Sequence, residues 1–143
     1  MEFIKLKHEE IKRLYDLAEY GYIFNWIKKS SAISEIVALH HNGDIAGLVE
    51  FERRHESKRN YMWLIEVANA YQGGGVFEKL LAYVGKDALD AGFEGFFLFE
   101  PKSYLYEYYI KAFDAKPDSG RYLMFDQEVI TRLVKTYLDE GGV

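Results

Sequence analysis

Three consecutive glycines, Gly73, Gly74 and Gly75, separate a strand-like run from an amphipathic helical pattern. The run before them, residues 64–68, reads LIEVA, and the residues after them repeat apolar side chains at helical spacing. Glycines ahead of a helix let backbone N–H groups approach a ligand, and the positive end of the helix favours anions there. The chemistry that this spacing predicts is the binding of phosphate groups.

Two common phosphate-binding loops do not fit the spacing. A P-loop has four residues between its first glycine and a Gly-Lys-Ser/Thr end, whereas residues 76–80 here read VFEKL. A dinucleotide-binding loop has glycines at its first, third and sixth places. Counted from Gly73, the sixth place is Glu78, so this interpretation fails as well.

The remaining match is to a cofactor loop. Gln72, Gly73, Gly74, Gly75 and Val76 resemble the Gln/Arg-x-x-Gly-x-Gly/Ala loop of the GNAT superfamily, the acetyl-coenzyme A dependent N-acyltransferases. In that family the last place is usually a small residue, and here it is Phe77.

The resemblance extends to both sides of the loop, over residues 67–115. Family members commonly carry a valine five residues ahead of the Gln/Arg and an aromatic residue just before it, as Val67 and Tyr71 do here. A second family pattern, Tyr-x-Lys-x-Phe/Gly, is matched by Tyr109, Lys111 and Phe113. Where many members carry Asn, this chain has Lys102 or Ser103.

The resemblance implies acetyl-CoA as the cofactor and a primary amine as the acceptor, attacked directly in a ternary complex. It implies that backbone groups of Val67, Ala68 and Asn69 line the pantetheine arm as an extra strand, and that an N–H near Val67 polarises the thioester carbonyl. The pyrophosphate would be bound by the backbone of the following residues: Gln72, Gly73, Gly74, Gly75, Val76 and Phe77.

Acyl transfer also needs an acid and a base. The resemblance places Tyr109 as the proton donor to the cofactor sulfur, with Tyr108 as the alternative because a shift of one residue rotates a helix by roughly 100°. As the base we expect Glu66, near the end of the strand that leads to the loop, or Glu100 at the end of the next strand, each acting through water.

Two other functions stay open. Phe77 and the lack of an obvious base are compatible with a non-catalytic acyl-CoA-binding or protein-interaction module that has a degenerate site. A nucleotide-binding regulator would use the same glycines and would prefer ATP or NAD to coenzyme A.

The elements that must position these residues follow from periodicity and turn signals. We expect a mixed, mostly antiparallel central sheet flanked by helices, GNAT-like, in a single α/β (α+β) domain over residues 1–143. The expected strands are 3–7, 34–40, 44–53, 59–68, 95–100 and 121–125, with a tight turn at Asn42-Gly43. The expected helices are 8–20, 22–29, 75–91, 104–112 and 128–138.

Composition limits the class of protein. The formal net charge of −5 argues against a nucleic-acid partner, and the absence of a leader or a long apolar run argues for a cytoplasmic protein with no membrane partner. Cysteine is absent, and His40 and His41 are adjacent on a strand and point to opposite faces, so no metal site is expected. Exposed aromatic residues are compatible with a homodimer or with an acceptor pocket.

Two charged groups are interpreted as solvated. Glu50 and Glu52 share one face of an expected strand, where a solvated sheet face is favoured over an acceptor groove. Arg53, Arg54 and Arg59, with Lys58, are interpreted as a hairpin tip in water.

Overall fold

The strands form one mixed sheet. The computed structural model describes residues 1–7, 9–10, 22, 26, 29–94 and 96–138. In this part of the chain the strands are β1 (Glu2–Leu6), β2 (Glu35–His41), β3 (Asp44–Arg54), β4 (Arg59–Val67), β5 (Phe97–Phe99), β6 (Lys116–Pro117) and β7 (Leu123–Phe125), and the helices are α1 (Val76–Asp90), α2 (Tyr106–Phe113) and α3 (Gln127–Tyr137).

The strand order is β1-β2-β3-β4-β5-β7-β6. The β4–β5 pair is parallel, and every other neighbouring pair is antiparallel. The expected mostly antiparallel sheet flanked by helices is therefore confirmed.

The turn chemistry also agrees with the prediction. Asn42 and Gly43, between β2 and β3, have φ values of 52° and 85°, as a tight hairpin turn with two left-handed residues requires. Gly92 follows α1 with a φ of 83°, which is the conformation of a glycine that ends a helix.

One strand was not predicted, and two predicted helices fall mostly on residues that the structure does not describe. The strand β6 was not predicted, because two residues are too few to show a period of two. The expected helices over residues 8–20 and 22–29 lie outside the described residues except at isolated positions.

The two faces of the sheet carry separate apolar clusters. On β2, Val37 and Leu39 belong to one cluster, and Ile36 and Ala38 belong to the other. Since successive strand residues point to opposite faces, the clusters lie on opposite sides of the sheet. The first side, here called the helix face, is covered by α1 and α3. The second side, here called the N-terminal face, packs against Tyr22 and Trp26.

Two glycines allow α1 to approach its neighbours closely. A Cβ atom at Gly47 on β3 would lie 2.8 Å from the side chain of Leu80, and one at Gly85 would lie 2.5 Å from Ile130 of α3. Both distances are shorter than packed side chains tolerate, so the helix is held tightly between the sheet and α3. Its first residue is thereby fixed beyond the end of β4.

A β-bulge changes the direction of side chains in β4. Glu50 pairs with Leu64 and Phe51 pairs with Met62, which leaves Trp63 as an extra residue. Trp63 contacts Glu52, and Leu64 packs in the cluster of the N-terminal face. Consecutive residues of β4 therefore project to the same side of the sheet.

Candidate active site

The strands β4 and β5 separate partway along their length. They pair from Asn60 with Phe97 to Met62 with Phe99, after which β4 continues to Val67 while the other chain segment leaves through Pro101. On the side that faces β5, the second half of β4 is therefore paired with no strand in the described part of the chain. The gap exposes backbone groups that an extended ligand can pair with.

Two adjoining hollows occupy this gap. An inner hollow of about 170 Å³ lies between the diverging strands, and a loop groove of about 580 Å³ lies at the glycines. Ile65, Lys102 and Leu105 line both of them. A ligand seated on the glycine loop can therefore extend between the strands.

The backbone direction at the end of β4 favours the predicted role of Val67. The N–H of Ala68 donates to Ala46 on β3 at 2.9 Å. In an antiparallel pair, residues that bond to the neighbouring strand alternate with residues whose N–H and C=O point away. The backbone groups of Val67 therefore point toward the open edge.

The glycine loop has the geometry of an anion site. Gly73 and Gly75 have φ values of 81° and 85°, and Gly75 is the N-cap of α1 with no side chain to cap the helix. The first-turn N–H groups of a helix have no intrahelical acceptors, and α1 is 15 residues long. The positive end of a long helix is thus presented to the loop groove.

Most of the predicted cofactor residues line this groove, and three do not. Gln72, Gly73, Gly75 and Phe77 line it together with Val67 and Asn69. Ala68 and Val76 are buried, and Gly74 is not among the lining residues. The ring of Phe77 packs 6.0 Å from that of Tyr109 and 5.8 Å from that of Phe113, between ring centroids.

The structure places the two candidate acids in different hollows. Tyr109 lines the inner hollow, is 5% exposed and has its ring 4.8 Å from that of Phe99. Burial raises the pKa of Tyr109, and the neighbouring Tyr108 and Tyr104 add to the effect, so its hydroxyl stays protonated at neutral pH. Tyr108 is 52% exposed and lines the loop groove.

The two candidate bases are likewise separated. Glu66 lines the loop groove and accepts a hydrogen bond of 2.7 Å from the Trp26 indole. Glu100 lines the inner hollow beside Tyr109 and forms an ion pair of 3.4 Å with Arg121. The inner hollow therefore brings together one predicted acid and one predicted base.

The interpretation of Glu50 and Glu52 as a solvated face is wrong. Glu50 is 0% exposed, and its carboxylate accepts bonds from the Ser30 N–H, the Ser30 hydroxyl and the Ser34 hydroxyl at 2.6–2.7 Å. Glu52 is 6% exposed and accepts a bond of 2.6 Å from Ser31. The signal that could have revealed this is the group of three serines just before β2, whose hydroxyls satisfy buried carboxylates.

The basic hairpin tip is also only partly solvated. Arg53 pairs with Glu35 at 3.1 Å and with Asp87 at 2.6 Å, and Arg54 pairs with Glu52 at 3.0 Å. Both arginines belong to β3 rather than to the turn.

Other features of the described residues lie away from this site. A hollow of about 840 Å³ between β1, α1 and α3 has none of the predicted site residues in its described lining. In the same part of the chain, no group of three or more His, Cys, Asp or Glu side chains is arranged to hold a metal ion. No described helix combines the length and the apolar composition that crossing a bilayer requires.

Comparison with known proteins gives one family. The model of the acetyltransferase (GNAT) family matches residues 2–113, and no curated protein sequence matches the chain. The crystal structure of Tetrahymena GCN5 is similar with a TM-score of 0.63 and 15% identity, over 88% of this chain and 96% of that one.

Two further solved structures are similar over nearly their whole length. The AtaT-AtaR complex bound to DNA has a TM-score of 0.68 and 16% identity, over 93% of this chain and 99% of that one. AtaTR bound with AcCoA has a TM-score of 0.63 and 15% identity, with coverages of 92% and 96%. At these identities the likeness is one of fold, and it agrees with the family match. The chain belongs to the acetyltransferase (GNAT) family.

Proposed function

We propose that this protein is an acetyl-CoA dependent N-acetyltransferase that transfers an acetyl group to a primary amine of a small molecule or a protein by direct attack in a ternary complex. The observation that carries the proposal is the separation of β4 from β5, with the glycine loop at one end of the gap and Tyr109 at the other. Family membership and a neighbour of the same fold with AcCoA bound add support.

The residues present fit the cofactor. Gly73 and Gly75 hold left-handed conformations that side chains rarely adopt, and the helix end behind them favours phosphate. The loop would hold the pyrophosphate through backbone N–H groups, and the open edge at Val67 would pair with the pantetheine arm. Acetyl-CoA, when bound, supplies the acetyl group as a thioester.

The protein's own groups would then have three tasks. The Val67 N–H would donate to the acyl carbonyl oxygen, which gains negative charge during attack. A carboxylate, Glu66 or Glu100 acting through water, would take a proton from the amine. As the carbon–nitrogen bond forms and the carbon–sulfur bond breaks, Tyr109 would give its proton to the sulfur and recover one from solvent.

The charge of the chain supports the expectation that nucleic acid is not its partner. One structure of similar fold is a complex bound to DNA, and binding of that kind depends on Lys and Arg contacts to phosphates. This chain has 18 Lys and Arg against 23 Asp and Glu, a formal net charge of −5.

A transfer assay tests the proposal. The protein is incubated with acetyl-CoA and a panel of primary amines, and released thiol and acetylated product are measured together. We expect acetylated product from at least one amine. Because a positioned acid contributes about 10²–10⁴-fold, Tyr109→Phe should lower kcat about 100-fold or more and change the Kd for acetyl-CoA far less.

Tyr108→Phe is the matched control, since it removes a hydroxyl from the neighbouring residue. A loss confined to this variant would move the acid role to Tyr108, and full rates in both variants would contradict proton donation by either. Binding of acetyl-CoA without product from any amine would favour the non-catalytic module.

A further inference from the structure

We infer that the acceptor is an amino carboxylate, a molecule with a primary amine and a carboxylate, and that Arg54 binds the carboxylate. The inference rests on the proposed function. Its starting observation is an arginine that is fixed on an aromatic surface beside the inner hollow while its terminal nitrogens are unused.

Glu52 and Trp63 form the base of this surface. The indole of Trp63 lies on the N-terminal face, where its Nε1 donates to the Glu52 carboxylate at 2.5 Å. Tyr61 lies beside it, with ring centroids 4.8 Å apart. Trp63 is nevertheless 37% exposed, which leaves an accessible aromatic surface in the middle of a sheet.

Arg54 is held over this surface by two contacts. Its Nε donates to Glu52 at 3.0 Å, and its guanidinium carbon lies 4.1 Å from the ring centre of Tyr61 and 6.0 Å from that of Trp63. Stacking on aromatic rings together with one hydrogen bond fixes the plane of a guanidinium. The side chain is therefore oriented before any ligand binds.

The two terminal nitrogens of Arg54 remain available. In the part of the chain that the structure describes, neither makes a hydrogen bond or an ion pair, and the side chain is 37% exposed. A planar pair of N–H donors matches the two oxygens of a carboxylate, with which arginine forms bidentate bonds. A lysine could not reproduce this arrangement.

Trp63 connects the arginine with the place of reaction. The same indole that lies near Arg54 also lines the inner hollow with Tyr109 and Glu100. A small molecule whose carboxylate binds Arg54 can therefore extend along Trp63 and bring its amine into the hollow, where Glu100 attracts a cation. The hollow is small, about 170 Å³, which suits an amine on a short chain.

The local charges favour a zwitterion over a simple anion or cation. Arg54 is balanced by Glu52, and Arg121 is balanced by Glu100. A ligand with one positive and one negative group leaves this balance unchanged, and each of its charges lies near an opposite one.

Matched pairs of acceptors test the inference. ε-Aminocaproate is compared with n-pentylamine, and δ-aminovalerate with n-butylamine, since each pair differs by the carboxylate alone and a short chain separates that carboxylate from the amine. Charged hydrogen bonds contribute about 1.5–3 kcal/mol, so we expect a KM about 10–100-fold lower for the amino acid. Arg54→Gln should raise the KM of the amino acid to that of its amine and leave the amine and acetyl-CoA unchanged.

Binding is measured as well, by calorimetry of each acceptor with protein saturated with free coenzyme A, where no transfer can occur. Arg54→Lys keeps the charge and replaces Arg54→Gln as the test variant if the latter does not fold. The lysine variant should retain only part of the native affinity for the amino acid. The control is Arg132→Gln on α3, which breaks an exposed ion pair with Asp114 at the end of α2 and should change nothing.

The inference would be overturned if the native chain had equal KM or Kd values for the two members of a pair. It would also be overturned if Arg54→Gln lost affinity equally for the amino acid and for its amine. If no acceptor is acetylated, the proposed transfer fails, and the binding experiment still decides whether Arg54 recognises a carboxylate.

Discussion

Glu52 is a single carboxylate that joins three segments of the chain. It accepts hydrogen bonds from Ser31 before β2, Arg54 on β3 and Trp63 on β4. Burial alone would raise the pKa of Glu52, but the bonds from Ser31, Trp63 and Arg54 and the charge of Arg54 lower it below its usual 4.5. The ionised form is thus favoured in the folded state.

Replacing this carboxylate should make stability depend on pH. We expect Glu52→Gln to lower the free energy of unfolding by about 1–3 kcal/mol at pH 7, because hydrogen bonds to a charged group are lost. A group whose pKa is depressed by folding stabilises fully above its unfolded pKa, here about 4.5, and loses that contribution as pH falls through the folded value. The difference between the native chain and the variant should therefore shrink below about pH 4.

Urea unfolding at pH 7 and pH 3 measures the difference. Glu56→Gln, at an exposed position in the turn after β3, is the control and should have little effect at either pH. The same loss for Glu52→Gln at both pH values would contradict the assignment of an ionised Glu52.

The position of the glycine loop ahead of α1 could be predicted from the residues alone, because the conformation of such a loop is a local property of the backbone. Glu50 and Glu52 could not, because alternation along β3 shows which face they share but not that the serines before β2 cover that face. Tyr109 and Tyr108 were identified as a pair, and only packing separates the buried ring from the exposed one.

At the scale of elements, α3 begins with a charged cap. The carboxylate of Asp126 accepts a bond of 3.0 Å from the Val129 N–H and forms an ion pair of 2.5 Å with Lys116 on β6. The cap therefore links the start of α3, which packs against α1, to the edge of the sheet.

Two substitutions of Asp126 separate the contribution of the helix cap from that of the ion pair with Lys116. Asp126→Ala should lower the free energy of unfolding by about 1–2 kcal/mol, the usual cost of losing a helix cap. Asp126→Asn keeps a side-chain acceptor and loses only the charge, so it should cost less, as an ion pair this exposed contributes about 0–1 kcal/mol. Thermal or urea unfolding of both variants measures which of them is less stable. An Asn variant as unstable as the Ala variant would contradict the assignment of the cap to a side-chain acceptor.

Element types followed from the sequence wherever a segment was long or ended in a clear turn signal, as at Asn42-Gly43 and Gly92. The bulge at Trp63 did not, because it arises from pairing between β3 and β4 rather than from any residue type in β4. Trp63 lies on the same face as Tyr61, as alternation predicts, whereas its place beside the inner hollow depends on the separation of β4 from β5, which periodicity does not show.

At the scale of the whole molecule, the site is assembled from distant parts of the chain. The loop groove joins the end of β4 to residues around Tyr104 and Tyr108, and the inner hollow joins Trp63 to Glu100 and Tyr109. The residues of the proposed cofactor side could be named from the sequence because they lie in one continuous stretch. The residues of the proposed acceptor side could not, because they come together only through the order of strands in the sheet.

The central claim is that the glycine loop and the open edge of β4 bind acetyl-CoA. Calorimetry of the native chain with acetyl-CoA, free coenzyme A, ATP and NAD tests it most directly. Gly75→Glu adds a side chain and a negative charge at the loop, and Gly92→Glu is its matched control, since both glycines have nearly the same backbone conformation, with φ values of 85° and 83°, at opposite ends of α1. We expect micromolar binding of the two coenzyme A forms alone, lost in Gly75→Glu and kept in Gly92→Glu. No heat from either coenzyme A form in a folded sample, or equal binding by both variants, would contradict the claim.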